Sequence, residues 1–166
     1  ADSQVAHMQP MIKPDNSDRF DYEAEMAIII GKGGRFISED EALNHIAGYA
    51  CYNDGSIRNY QRHTSQYTPG KTFPGTGGFG PYMVTPDELD KFIKEDKLHL
   101  EMTCHVNDTL ISKGNTNDLY HPFTKMIERA SMNTNLLAGD YLGSGTVGTG
   151  CILELRPENT NGWIKK

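Results

Sequence analysis

Asp21-Tyr22-Glu23-Ala24-Glu25-Met26-Ala27-Ile28-Ile29-Ile30-Gly31 is the stretch that decides how this chain is read. Its isoleucine run predicts a strand, and in an extended chain residues two apart share a face. Glu23, Glu25, Ala27 and Ile29 then line one side, with Tyr22, Ala24, Met26, Ile28 and Ile30 on the other. Two carboxylates therefore open a face that ends as core. An unpaired buried carboxylate is costly enough that it takes up a proton instead. The pair must be solvated at the strand's end, matched by bases, or bound to a cation, and spacing alone leaves all three open.

At 166 residues the chain suits one domain that can bury a core without disulfides. Its net charge of -6, with no cluster of Lys or Arg, speaks against a nucleic-acid footprint. A carboxylate substrate held by local donors stays compatible with that charge. Cys51, Cys104 and Cys151 are odd in number and form no C-x-x-C pair, so they read as reduced thiols of a cytoplasmic protein, packing as small hydrophobes. No apolar run is long enough for a bilayer, and Ala1 to Pro14 lacks the blocks of a signal peptide, so no membrane partner is expected.

Outward from the acidic strand, Gly31-Lys32-Gly33-Gly34 reads as a turn using positive φ angles, since no Gly-Lys-Ser or Gly-Lys-Thr completes a phosphate loop. Ser38-Glu39-Asp40-Glu41 has the spacing of a capping box, predicting a short amphipathic helix through Ala42, Leu43, Ile46 and Ala47. Ser56, Arg58, Asn59 and Gln61 crowd into one predicted helical turn. The Gly- and Pro-rich segment from Gly70 to Pro81 holds Lys71 and two phenylalanines, and reads either as a connector or as a backbone-lined loop at a site. Thr85-Pro86 opens a helical turn.

Leu98 to Val106 alternates with period two and returns through Asn107-Asp108 as a hairpin, with His99 and His105 on the polar face, too far apart to share a metal. Leu119, Phe123, Met126, Ile127 and Ala130 predict an amphipathic helix started at Asp118 or at His121. Gly143, Gly145 and Gly148 spell a dinucleotide-type G-x-G-x-x-G. That reading fails on context, because Cys151 to Leu155 reads as a strand where a helix should begin. A Gly and Thr loop can still offer N–H and hydroxyl donors to a carboxylate.

In their order these motifs resemble the fumarylacetoacetate hydrolase family. The matching pieces are Phe20 to Gly31, Gly48-Tyr49 with Asn53-Asp54, then Ser56, Arg58 and Gln61, Gly70 to Phe73, Gly80-Pro81, Ala138-Gly139-Asp140, and Ser144 to Gly148. The resemblance implies a β-rich α+β fold, a mixed β-sandwich roll with a few peripheral helices. It implies a single catalytic domain over residues 1–166, without the family's N-terminal region and final strands, where many members carry a water-activating His and Glu. It implies a divalent metal, Mg²⁺ or else Mn²⁺ or Ca²⁺, on Glu23, Glu25 and Asp54. Lys71, Arg58 and Gln61 match the family's charge-stabilising catalytic positions, and Gly145, Thr146 and Tyr60 fall to substrate binding. The implied reaction is hydrolysis of a C–C bond beside a carbonyl in a small diketo or 2-oxo acid through a metal-bound enolate. Decarboxylation, isomerisation or hydration on the same site is an alternative, as is a silent metal- or acid-binding relative. The implied assembly is a homodimer. Asn59 stands where many relatives have Asp.

Overall fold

The computed structural model describes residues 2–94 and 97–165. In chain order the strands and α-helices are β1 (Gln4–Ala6), β2 (Phe20–Asp21), β3 (Ala24–Ile30), β4 (Ile46–Asn53), β5 (Ser56–Ile57), α1 (Arg58–Gln61) and β6 (Gly77–Phe79). They continue as α2 (Pro86–Leu89), β7 (Ile93–Lys94), β8 (Lys97–Leu98), β9 (Glu101–Val106), β10 (Thr109–Asn115), α3 (Phe123–Ser131), β11 (Tyr141–Gly143) and α4 (Ile152–Leu155). A mixed five-stranded sheet runs β1-β6-β4-β3-β11, parallel between β1 and β6 and antiparallel elsewhere. The architecture is α+β with few helices, as expected.

The acidic stretch forms β3 beside its neighbour β4, with Ala24 opposite Asn53 and Glu25 opposite Tyr52. Its two faces separate along the lines the alternation gives. Met26, Ile28 and Ile30 join Ile37, Ala42, Ile46, Phe123, Ile127 and Leu136 in the apolar core. On the other face Glu23 and Glu25 are buried as well. The strand is therefore covered on both sides, and the carboxylates cannot be a solvated strand end.

Several local expectations are corrected. Gly31, Gly33 and Gly34 do not use positive φ. They are small because neighbours crowd them: a Cβ on Gly31 would sit 2.8 Å from the Ala47 Cβ, and one on Gly33 2.7 Å from the Leu136 carbonyl. The capping-box segment makes only a 3₁₀ turn, Ala42–His45, with no side-chain cap bond, because β4 starts at Ile46 and ends it. His45 is buried with Nδ1 2.6 Å from the Lys32 carbonyl, which is a structural role. Helix α3 starts only after Pro122, its N-cap residue, so Leu119 falls in the preceding turn rather than in the helix. The hairpin forms at Asn107 and Asp108, both with positive φ as a two-residue primed turn demands. Leu98 pairs separately with Ile93 in β7. Of the cysteines, Cys151 is buried but Cys51 is exposed, so the small-hydrophobe reading holds for one and not the other.

The largest correction lies at Cys151 to Leu155, which is helix α4 and not a strand. Its apolar residues suit either state, and the deciding contact is remote in sequence. The Asp21 carboxylate accepts from the backbone N–H groups of Ile152 at 2.9 Å and Leu153 at 3.0 Å, fixing a helical first turn. The G-x-G-x-x-G is thus followed by a helix whose N-terminus is already filled by a carboxylate.

Ile28 is fully buried at the centre of β3. Replacing it by Ala should destabilise the domain by about 2–5 kcal/mol in urea titration, through lost burial and the residual cavity. A cost below about 1 kcal/mol would contradict this core assignment.

Candidate active site

The site is assembled where three chain segments meet at one end of the β3–β4 pair. Glu23 immediately precedes β3, Glu25 lies on it, and Asp54 immediately follows β4. Their relative position is fixed by backbone pairing: the Asp54 N–H donates to the Glu23 carbonyl at 3.1 Å, and the Glu23 N–H to Asn53 Oδ1 at 3.1 Å. Each of the three carboxylates has an oxygen within 4.8 Å of the others'. The grouping that the resemblance implied is therefore brought together in space.

Two bases meet these acids from different directions. Lys71, held by a one-turn 3₁₀ helix at Thr68–Gly70, pairs through Nζ with Glu23 Oε2 at 2.5 Å and Asp54 Oδ2 at 2.6 Å. Arg58, at the start of α1, lies behind Glu23 and is 3% exposed, which takes it out of the cleft. Its Nε and Nη2 donate to Asp21 Oδ2 at 2.9 and 2.7 Å, and Nη1 donates to Glu23 Oε1 at 2.5 Å and Gln61 Oε1 at 2.9 Å. Asp21, unremarked as a site residue from sequence, is thus the hinge of the arrangement. Its signal was available in hindsight: an acid at the start of an apolar strand needs a partner, and Arg58 is the nearest base in the next motif.

Four carboxylates, Asp21, Glu23, Glu25 and Asp54, face two cations, Arg58 and Lys71, leaving an excess of two negative charges. Buried, such an excess must be lost to protons or matched by a cation. Burial opposes ionisation of Glu23, but the charges of Lys71 and Arg58 and their hydrogen bonds outweigh it and hold its pKa below the usual range. Glu25 has no base of its own. Burial, followed by the charges of Asp54 and Glu23, pushes its pKa up to about 8. Its Oε2 accepts from the Gly145 N–H at 3.1 Å, and Gly143 leaves room for it, since a Cβ there would lie 2.5 Å from the same oxygen. Asp54 is oriented from its far side by the Tyr52 hydroxyl, which donates to Oδ1 at 2.8 Å. Burial and the Asp54 charge raise the Tyr52 pKa, so it stays a donor.

A cleft of about 600 Å³ opens on this cluster, lined among others by Gln61, Lys71, Tyr141, Gly145 and Thr146. Of the residues expected to act on substrate, Lys71, Gln61, Gly145 and Thr146 are in its wall. Tyr60 is not: its ring packs on Phe73 and His63, with centroids 5.0 Å away in both cases. Asn59 accepts from Ser17 Oγ at 2.6 Å, so the amide that replaces an acid still ties α1 to the preceding loop. Three oxygen ligands of formal charge, a surplus of two negative charges and an open side fit a hard divalent cation.

A mixed-sheet α+β domain with an acid cluster at the end of its central strands is the class that fold and site define. The chain belongs to the fumarylacetoacetate hydrolase family: the family profile described as "Fumarylacetoacetate (FAA) hydrolase C-terminal" matches residues 1–166. It is 37% identical over 137 residues to 2,4-didehydro-3-deoxy-L-rhamnonate hydrolase of Sphingomonas sp. strain SKA58, covering 82% of this chain and 46% of that one. It is 35% identical over 148 residues to the mitochondrial oxaloacetate tautomerase fahd2 of Xenopus laevis, covering 88% and 45%. The chain thus spans about half the length of these curated relatives. Among solved structures, a fumarylacetoacetate hydrolase from Exiguobacterium antarcticum superposes with a TM-score of 0.82 at 30% identity, over 99% of this chain and 56% of that one. Fumarylpyruvate hydrolase from Pseudomonas aeruginosa, solved with Mn²⁺ and pyruvate, has a TM-score of 0.80 at 21% identity, over 100% and 67%, and shows the shared fold. No helix among the described residues is long and apolar enough to cross a membrane.

The raised pKa of Glu25 makes a signed prediction. Between its ordinary value of 4.5 and about 8, the folded domain holds a proton that the unfolded chain has released, so raising pH through that window removes stability. With a chelator present, Tm should fall by roughly 4–10 °C between pH 5 and pH 8. Glu25→Gln should flatten that slope, and Mn²⁺ should raise Tm more at the higher pH. An unchanged slope in the variant would show that Glu25 is not the group responsible.

Proposed function

We propose that this domain is a divalent-metal-dependent enzyme that hydrolyses a C–C bond beside a carbonyl in a small diketo or 2-oxo acid, with Glu23, Glu25 and Asp54 as the metal ligands. The observation that carries the reading is the trio of carboxylates, Glu23 and Glu25 buried and Asp54 half-buried, in a cluster of four acids that faces two bases, at a cleft that also presents Lys71 and the Gly145-Thr146 loop. Mg²⁺ or Mn²⁺ suits such hard oxygen donors, with Ca²⁺ the softer-geometry alternative. When bound, the cation supplies Lewis-acid polarisation of the substrate carbonyl.

The chain's own residues do the rest. Lys71 brings a fixed positive charge to the cleft, where negative charge develops on the substrate oxygen as the bond breaks. The Thr146 side chain, in the cleft wall, faces the substrate carboxylate, while the Gly145 N–H donates to Glu25 and holds the loop in place. Gln61 has its Oε1 tied to Arg58, which leaves the NH₂ end of the amide for a substrate oxygen. Arg58 acts through Glu23 and is a positioning residue. Tyr60 supports the site indirectly, by packing on Phe73 two residues beyond Lys71.

A second reading, tautomerisation or decarboxylation of a 2-oxo acid, is favoured by one observation: among the described residues, none lining the cleft is a histidine. Moving a proton within the substrate needs no base to activate water. A homodimer is the assembly that goes with this family reading. Three free cysteines accord with a reducing compartment such as the cytoplasm.

Calorimetric titration with Mn²⁺ should show one site in the native chain, weakened by roughly tenfold or more in Glu25→Gln. Equal heats would remove the metal assignment. With the metal bound, incubation with acylpyruvates and with oxaloacetate separates the reactions: product masses distinguish hydrolysis from decarboxylation, and the change in enol absorbance at constant mass reports tautomerisation. Lys71→Met should lower kcat on the productive substrate by about 10²-fold, and unchanged turnover would take Lys71 out of the mechanism.

A further inference from the structure

Hydrolysis, decarboxylation and tautomerisation of a 2-oxo acid share one step: an enolate becomes product only when its carbon receives a proton. The cleft wall must therefore hold an acid whose proton is free to leave. Glu23, Glu25 and Asp54 are committed to the cation in the reading given above. Lys71 directs its ammonium at Glu23 and Asp54, which makes it a fixed charge. Tyr52 gives its one proton to Asp54 Oδ1 at 2.8 Å. Aliphatic hydroxyls and the Gln61 amide are too weakly acidic to serve. Among the described residues lining the cleft, two phenols remain, Tyr67 and Tyr141. Tyr67 is 67% exposed, so water competes for its hydroxyl, whereas Tyr141 is half-buried.

Tyr141 is also held in place. It opens β11, which pairs with β3 so that Tyr141 lies opposite Ile29 and Gly143 opposite Ala27. Cross-strand partners share a face, and Ile29 and Ala27 are on the face of Glu25. On that face three rings from three strands pack against one another: Tyr141 on Tyr52 with centroids 5.4 Å apart, Tyr141 on Phe79 at 5.1 Å, and Tyr52 on Phe79 at 5.3 Å. Gly143 keeps the space open, since a Cβ there would lie 3.3 Å from Tyr52 Cε1. The Tyr141 hydroxyl shares a side-chain hydrogen bond with that of Tyr52 and feels the charges of Asp54 and Glu25, which puts it beside the acid trio. Burial opposes its ionisation, and the two carboxylate charges add to burial against the Tyr52 hydrogen bond, so the group stays protonated. The Tyr52 oxygen also accepts from Gln4 Nε2 at 3.4 Å, so the Tyr141 proton can turn toward a ligand without leaving that oxygen unserved.

We propose that Tyr141 is the catalytic acid that protonates the carbon of the substrate enolate. The phenol O–H bond breaks, the enolate electron pair forms a C–H bond at C3 of the 2-oxo acid, and the phenolate regains a proton from water in the open cleft. In reverse, the phenolate removes a C3 proton and enolises the acid. This rests on the metal-site reading given above for the head of the substrate.

Deuterium incorporation at C3 of pyruvate in D₂O, followed by mass on the Mn²⁺-loaded full chain and corrected for free Mn²⁺, measures this step without C–C cleavage. Tyr141→Phe keeps the ring in its stack and removes only the hydroxyl. It should lower the exchange rate by about 10²-fold, with pyruvate affinity and Tm nearly unchanged. Tyr67→Phe should exchange at close to the native rate. A purely structural role for Tyr141 predicts no loss in the Phe variant. Undiminished exchange in Tyr141→Phe, or an equal loss in Tyr67→Phe, overturns the assignment and leaves the metal site standing. Exchange that survives chelation yet falls in Tyr141→Phe keeps the acid and overturns the metal. No exchange by the native chain overturns both.

Discussion

The buried guanidinium of Arg58, shared between Asp21 and Glu23, is the constraint on which the rest of the arrangement depends. It joins the start of β3 to helix α1, and through Asp21 it reaches the first turn of α4. Removing one partner from such a network strands a charge in a low-dielectric interior, which costs far more than the pair contributes by itself. The Asp21 and Arg58 charges cancel, and what they leave behind is Glu23 held ionised in a fixed place. Burial opposes ionisation of Arg58, but the charges of Glu23 and Asp21 outweigh it and raise its pKa, so the guanidinium is a permanent counter-charge.

Around that fixed point the sheet supplies rigidity. Strand register sets Glu25 opposite Tyr52, and Tyr52 then reaches Asp54 two residues further on. Carboxylates placed by paired backbones lose little freedom on binding a ligand, which is the condition for a tight and selective site. The Gly145-Thr146 loop, tied by backbone bonds to the same strand, lines the same cleft. The acids, Lys71 and the loop are thus referenced to the β3–β4 pair.

How far the sequence could be read follows from which contacts are local. Alternation along β3, the Asn107-Asp108 turn and the stripe of α3 are short-range patterns, and they gave strand, hairpin and helix in about the right places. The acid trio was legible only because the order of motifs resembles a family, since Asp54 is separated from Glu25 by the whole of β4. Cys151 to Leu155 was misread as a strand because the Asp21 carboxylate that makes it helical is more than a hundred residues away. A separation of 37 residues likewise hid the role of Arg58 as a brace and not a cleft residue, which depends on Asp21. Gly31 to Gly34 were read as turn residues, whereas their smallness answers the Ala47 side chain and the Leu136 carbonyl packed against them. Contacts that cross the sheet are invisible to periodicity.

The central claim is that the excess negative charge at Glu23, Glu25 and Asp54 is the seat of one divalent cation. Anomalous diffraction at the manganese edge from crystals grown with Mn²⁺ tests it most directly. The account predicts a single peak lying between oxygens of these three residues, at the oxygen-ligand distances of about 2.0–2.6 Å expected for hard divalent ions. No peak there, or a peak at another group of acids with this trio unchanged, would contradict it.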